Sequence, residues 1–420
     1  MREPRYPWIS AAAFAIVSAC GATALANDAL PTPLRADDVV AFAKEHRAEI
    51  AVAKARAGAL AETPKIVSAL PDPMVMVSLD HLPLKLMGAD ASLLIQQDFP
   101  LSGVLGKKKL SAEANANAAT ADIGRVALEV ETEALLSYLM VVERERMLVV
   151  LDEQVATSKQ VVEATLARLE GGSGNAGDIV RARLDVARLS GERTAVDAEL
   201  VAARGMLNSA LGRSSGAIVP QTALSVPTAS PPEVAALVTM AINKRPELAV
   251  MKHKLEKANA DISVMSAMYK PMAFVRTGPS YTMAEGPGAM LMIGFTVPLW
   301  REKLSAGVSE AKQMSTMVDA ETAAMRTMIE GDVAGARGAV IAARIRFDTA
   351  RDKLVPIARQ AVSLQLASYA TGQAALVSVL EALAMQRMIR MEEVVAEIRV
   401  AAAWVRLGRA VGVVRIGVPS

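Results

Sequence analysis

One unit occurs twice along this chain, and that duplication limits its folds more than any other feature. His46-Arg47-Ala48-Glu49-Ile50 returns as Lys244-Arg245-Pro246-Glu247-Leu248, 198 positions later. Phe99-Pro100-Leu101 returns as Val297-Pro298-Leu299 at the same spacing. Gly172 and Ala210-Leu211-Gly212 return as Gly372 and Ala410-Val411-Gly412, now at 200. One two-residue insertion reconciles the spacings. Each match is short, but their common order and near-constant spacing mark an internal repeat. The copies are placed at 27–218 and 231–412, with a connector at 219–230 rich in Pro, Ser and Thr and a tail at 413–420.

Each copy changes its pattern in the same order. Copy one opens with a helix over Arg35–Leu70, which Pro71-Asp72-Pro73 ends. Strands are predicted at about 74–79 and 91–99, around a polar loop, Asp80–Asp90. Copy two has a helix over Pro232–Met268 and strands at about 272–277 and 290–297, around a loop rich in Gly and Pro, Gly278–Gly288. Leu291, Ile293, Phe295 and Val297 alternate with smaller or polar neighbours, as a two-faced strand requires. A very long helix follows each hairpin. No proline occurs from Lys107 to Glu170, enough for about 95 Å of α-helix. Leu148, Val155, Val162 and Leu169 recur every seven residues, and Val196, Leu200, Ala203 and Leu207 step by four, three and four on the way back. Copy two repeats the plan over Glu302–Thr371 and Ala374–Val411, with a kink expected at Pro356.

Composition suits such helices. Aromatic residues are 3% of the 420, while alanine, which lets helices approach closely, is abundant. The net charge of +2 argues against a nucleic-acid binder acting through bulk charge. A single cysteine, Cys20, excludes an internal disulfide, and with three histidines no Cys/His zinc site can be assembled. No catalytic arrangement and no cofactor site is visible.

The N-terminus reads as an export signal, residues 1–26. Arg2 and Arg5 precede an apolar stretch, Trp8–Ala19, and Ala24-Leu25-Ala26 offers a cleavage site. Val17-Ser18-Ala19-Cys20 offers a second route, lipidation at Cys20. After residue 30 no run of 18 apolar residues occurs, so no helix of the mature chain spans a membrane. Four strands cannot close a barrel, and an open sheet edge is not tolerated in lipid. If the strands are membranous, several chains must pool them, and three would give twelve.

These features resemble the TolC family of outer-membrane efflux proteins over about residues 35–412. Ile95-Gln96-Gln97-Asp98-Phe99-Pro100-Leu101, with Gly103 and Gly106-Lys107, resembles the family's passage from first hairpin to long helix. Gly172 before Asp178-Ile179-Val180-Arg181-Ala182, and Gly372 before Ser378-Val379-Leu380-Glu381-Ala382, resemble its two helical tips. Leu407-Gly408-Arg409-Ala410-Val411-Gly412 resembles the end of its last helix. Asp72-Pro73-Met74 and the short mature length look more like the CzcC/CusC heavy-metal branch.

The resemblance implies a mainly α fold with a small β part: a homotrimer with a long periplasmic α-barrel and a 12-stranded transmembrane β-barrel in the outer-membrane lipid. It implies a passive duct, served by a periplasmic adaptor protein and an inner-membrane RND pump. It further implies that the tips, with turns at Gly172, Gly174 and Gly372, form the periplasmic gate. Asp178, Tyr369, Ser378 and Glu381 fall at gate positions, where inward carboxylates would concentrate cations. Ser378 departs from the family, which usually has an acid there. Asp178 is equally suited to a plain helix start.

Two further patterns have ordinary explanations. Gly172-Ser173-Gly174-Asn175-Ala176-Gly177 matches G-x-G-x-x-G, but a long helix precedes it where a nucleotide site needs a strand, so a helix–helix turn is expected. Met74, Met76, Met87, Met283, Met290 and Met292 cluster in and near the strands, and Met314, Met317, Met325 and Met328 step along one helix. Thioethers suit Cu(I) and Ag(I), but methionine also fills irregular packing. His81 is expected at the surface. The leading expectation is therefore an efflux channel for heavy-metal cations. Duct functions in drug efflux or type I protein secretion, and a periplasmic coiled-coil scaffold without a pore, are the alternatives.

Overall fold

The computed structural model describes residues 29–80 and 90–417. The leader, Cys20, His81, Met87 and the last three residues lie outside them. The described chain is a bundle of very long helices carrying a small sheet at one end. Its elements are α1 (Ala36–His46), α2 (Ala48–Ser68), β1 (Met74–Asp80), β2 (Asp90–Pro100), α3 (Val104–Glu170) and α4 (Ala176–Ala210). There follow α5 (Val234–Lys244), α6 (Pro246–Ala267), β3 (Met272–Thr282), β4 (Gly286–Thr296), α7 (Arg301–Thr349), α8 (Val355–Ala370) and α9 (Leu376–Val411). With 67 residues, α3 is about 100 Å long. No helix among the described residues is long and apolar enough to cross a membrane.

The single helix expected at the start of each copy is two helices. Arg47 and Arg245 interrupt them in extended conformation, with ψ of 124° and 120°. Pro246 explains the second break, because a residue before proline avoids helical geometry. At Arg47 no proline follows, and ion pairs hold the break. Arg47 contacts Glu49 and Glu133 at 2.7 and 2.9 Å, and Arg245 faces Glu247 and Asp332 at 3.6 and 3.3 Å. Hydrogen bonding to Glu49 raises the Arg47 pKa, and the same contact lowers that of Glu49. The two breaks also receive equivalent turns. A Cβ on Gly212 would lie 3.1 Å from the His46 carbonyl oxygen, and one on Gly412 would lie 3.0 Å from that of Lys244.

The outgoing helix of copy two is interrupted just before Pro356. Residues Ala350–Leu354 form a π-helical turn, and Pro356 enters the first turn of α8, where its missing N–H is harmless. Between the copies, the connector is woven into the bundle. Leu34 exchanges backbone hydrogen bonds with Gln221 and Ala223, and the Tyr138 hydroxyl donates to the carbonyl oxygens of Leu34 and Ala223. Burial pushes Tyr138 up to about 12. Val226 touches both main cores, one built on Leu135, Tyr138, Leu139 and Leu207, the other on Ile329, Trp404 and Leu407.

The sheet is antiparallel throughout, in order β1-β2-β3-β4. Among the described residues both outer edges, β1 and β4, are unpaired. The expected loop Gly278–Gly288 is shorter: β3 runs on to Thr282 and β4 begins at Gly286. Two residues that signal a loop in the sequence are used inside the strand. The β2–β3 ladder is interrupted between Ser92↔Ser280 and Ile95↔Thr277, which is where Pro279 has no N–H to give. Gly278 sits so close to Leu93 that a Cβ would lie 2.0 Å from the Leu93 carbonyl oxygen.

The register sorts the side chains. Val75, Val77, Leu79, Leu93, Ile95, Phe99, Val275, Tyr281, Leu291, Ile293 and Phe295 share one face. Much of it is bare: Val77 is 74% exposed and Leu291 69%. Ser78, Asp80, Asp90, Ser92, Gln96, Asp98, Arg276 and Ser280 share the other face.

Candidate gate at the helical tips

At the far end from the sheet, two five-residue turns join α3 to α4 and α8 to α9. They are built alike. In the first, Gly171 N–H donates to Ala167, Gly172 N–H to Leu169 and Ser173 N–H to Arg168. In the second, Thr371 donates to Ala367, Gly372 to Tyr369 and Gln373 to Ser368. This crossed pair of bonds needs a left-handed residue at its centre, supplied by Gly172 (φ 76°) and Gly372 (φ 79°). Gly174 serves a different need, since a Cβ there would lie 2.6 Å from the Leu169 nitrogen. Gly177 donates its N–H to the Asn175 side chain, which caps α4. The G-x-G-x-x-G string is thus absorbed by a helix–turn–helix, with α3 before it.

A small apolar core ties the two tips together. It contains Val161, Ala182, Val362, Tyr369, Leu376, Val379 and Leu383. Tyr369 is buried inside it, and its hydroxyl lies 3.1 Å from Thr165 Oγ1. Arg168 covers the ring at 4.4 Å from the centroid and donates to the Tyr369 carbonyl oxygen. Its other nitrogen reaches the Ser173 carbonyl oxygen at 3.5 Å. One guanidinium therefore bridges the turn of the first tip and the helix end of the second.

The other candidate residues stand one turn further on. Asp178 lies in the first turn of α4, 3.5 Å from Arg181. Ser378 is half-buried, with its N–H donating to the Ala375 carbonyl oxygen. Glu381 is exposed and makes no ion pair among the described residues. The repeat spacing of 200 matches Asp178 with Ser378 and Arg181 with Glu381. Equivalent tip positions thus carry different charges, and Asp178 is partly matched by its own neighbour. Tyr369 belongs with Arg168 in the wall between the hairpins. Sequence reasoning missed Arg168 and Thr165, because their partner lies over 200 residues away. Among the described residues no three His, Cys, Asp or Glu side chains gather as metal ligands.

Residues 237–413 match the family model described as outer membrane efflux protein. That stretch of the chain is similar to the outer membrane efflux proteins. Solved structures of similar shape agree. The channel CusC, at 16% identity, matches over 93% of this chain and 96% of its own, with a TM-score of 0.77. The outer-membrane channel OprN, also 16% identical, covers 90% of this chain and 89% of its own, at 0.77. VceC of Vibrio cholerae, an outer membrane protein, is 15% identical over 90% and 96%, at 0.74. Comparison with curated protein sequences gives no match. At these identities the structures show a shared fold. The helical tips therefore stand on long hairpins of the same fold as in those structures.

Proposed function

We propose that the protein is the outer-membrane channel of a tripartite efflux system, a passive duct for heavy-metal cations. The observation that carries this is the sheet. Among the described residues its two edges are unpaired and one face is largely bare aliphatic surface, while long helices leave its other end. Such a sheet is stable in lipid only when copies close it. Three copies give twelve strands, and the apolar face then meets the outer-membrane lipid. Trp300, 79% exposed just below β4, stands where an interfacial aromatic is favoured. The helices would extend through the periplasm to meet an adaptor protein and an inner-membrane RND pump. The N-terminal leader, cleaved after Ala26 or lipidated at Cys20, would bring the chain there.

The cation cargo is supported by charge. On the inner face of the sheet Asp80, Asp90 and Asp98 outweigh Arg276. Asp72-Pro73-Met74 ahead of β1 is the sequence that resembles the metal branch. At the tips we assign Asp178, Ser378 and Glu381 to the lining of the closed gate, and Arg168 with Tyr369 to holding the hairpins in register.

Deleting the gene and exposing the cells to copper, silver, zinc, cobalt and cadmium, beside dyes and detergents, tests the cargo. Sensitivity confined to metals is expected, and sensitivity to organic compounds alone would reject it. A soluble periplasmic product, in place of heat-modifiable trimers in the outer-membrane fraction, would reject the duct itself.

A further inference from the structure

Methionine is sorted within the sheet. The described strands carry five: Met74 and Met76 on β1, Met272 on β3, and Met290 and Met292 on β4. The register places all five on the polar face, with Gln96, Asp98 and Arg276. Most branched aliphatic side chains take the other face, while Leu94 and Phe274 share the face of the methionines. A thioether is apolar and would be as welcome there. Its exclusion from that face calls for a reason tied to the polar side.

Four of the five lie on the two edge strands. Met74, Gln96, Arg276 and Met292 form one row across the sheet, so the sulfurs stand at its two ends. Met76 and Met290 lie two residues further along the same edges, in the direction of the hairpin tips. Both Met74 and Met292 are open, at 55% and 42% exposure. When a neighbouring copy closes the sheet, β4 of one chain lies about 4.8 Å from β1 of the next, and each face continues across the junction. Met290 and Met292 of one copy then share a wall with Met74 and Met76 of its neighbour.

We infer that these four methionines form, at each junction between copies, a thioether cluster on the inner wall of the barrel that takes soft monovalent cations, Cu(I) or Ag(I). The inference rests on the channel reading above and narrows its cargo. Neutral thioether sulfur favours these ions over zinc or cobalt, which prefer nitrogen and oxygen donors. Being uncharged, the cluster holds an ion loosely enough to release it, as conduction requires. Asp80, Asp90 and Asp98 raise the local cation concentration on the same face. Arg276 is drawn to Gln96, whose Oε1 it contacts at 2.7 Å in the middle of the row, leaving the edges to the methionines.

The test is titration of silver nitrate into the purified full-length trimer in chloride-free detergent buffer, with zinc as the control. Wild type is compared with the volume-conserving variant Met74→Leu/Met76→Leu/Met290→Leu/Met292→Leu. Silver but not zinc should bind the wild type. The variant should bind silver at least about tenfold more weakly, since even outer partners of metal ligands carry that much. Met290→Leu/Met292→Leu alone should give a smaller loss with the trimer intact, which covers a folding failure of the fourfold change. Silver binding absent from wild type, or unchanged in both variants, overturns the inference. A deletion strain that is metal-sensitive alongside unchanged binding removes this cluster and leaves the metal duct standing. Absence of trimers removes both.

Discussion

In the first tip, Asn175 caps α4 with its side chain, and an acidic residue, Asp178, follows in the first turn. In the second, Ala375 offers no cap and no acid follows, but Leu376 and Val379 are fully enclosed. The turns before these helices have the same hydrogen bonds and the same left-handed glycine. The difference continues on the near side. Leu169 is 36% exposed, while its counterpart, Tyr369, is 6% exposed beneath Arg168. Tip one therefore adds local polar bonds to its share of the common core, through Val161, Ile179 and Ala182, whereas tip two relies on burial against tip one. A turn duplicated in sequence can be kept while its supports diverge, because backbone geometry and packing are separable requirements.

The strongest test of that contrast replaces the matched pair. Tyr369→Ala should cost about 3–5 kcal/mol, as for a buried aromatic, whereas Leu169→Ala should cost under about 1 kcal/mol because it removes half-exposed surface. Thermal unfolding of the trimer reads the stability. Conductance in planar bilayers reads the gate, and Tyr369→Ala should raise it while Leu169→Ala leaves it unchanged. Equal effects at the two positions would dissolve the comparison.

The helix starts give the next test. Leu376→Ala should cost about 2–5 kcal/mol, with proteolysis at the second turn. Asn175→Ala should cost about 1 kcal/mol, as the loss of a cap, and be confined to fraying of α4. Hydrogen exchange at the first turn of each helix distinguishes the two. A smaller step is Tyr369→Phe, which removes the hydroxyl at Thr165. Thr165 keeps its bond to the Val161 carbonyl oxygen at 2.7 Å, so about 1 kcal/mol is expected.

What the sequence disclosed follows the range of the interactions. The long helices, the presence of four strands and the glycines of the tip turns are set by local pattern and are visible in the order of residues, whereas β3 and β4 extend further into the expected loop than that pattern suggests. The breaks at Arg47 and Arg245 are visible only as a repeated motif, since the carboxylates that hold Arg47 include Glu133 from α3. Gly278 and Pro279 mislead in sequence because their role depends on β2, nearly 190 residues earlier. Arg168 carried no signal, because its aromatic partner comes from the other copy. The sorting of methionine onto one face needed the register, which an alternating strand fixes only once its neighbours are known.

The weakest effect compares the two breaks through pH. Glu49 is held below the usual carboxylate range by its hydrogen bonds to Arg47, and Asp122 likewise by Arg125. A carboxylate whose folded pKa is depressed stabilises the fold above its unfolded pKa and loses that contribution as pH falls through the folded value. Stability should therefore be level above about pH 5 and decline below about pH 4, near the ordinary carboxylate values. The Glu49 side chain is 54% exposed, so solvent screening keeps its share small. Glu49→Gln should flatten the acid limb slightly and leave stability near neutrality lowered by less than about 1 kcal/mol. Glu247 is the counterpart at the second break, where Pro246 already sets the backbone without help from charge. Glu247→Gln should therefore leave the break in place, and melting curves of the two variants between pH 3 and 7 would show whether the first break alone depends on its ion pair.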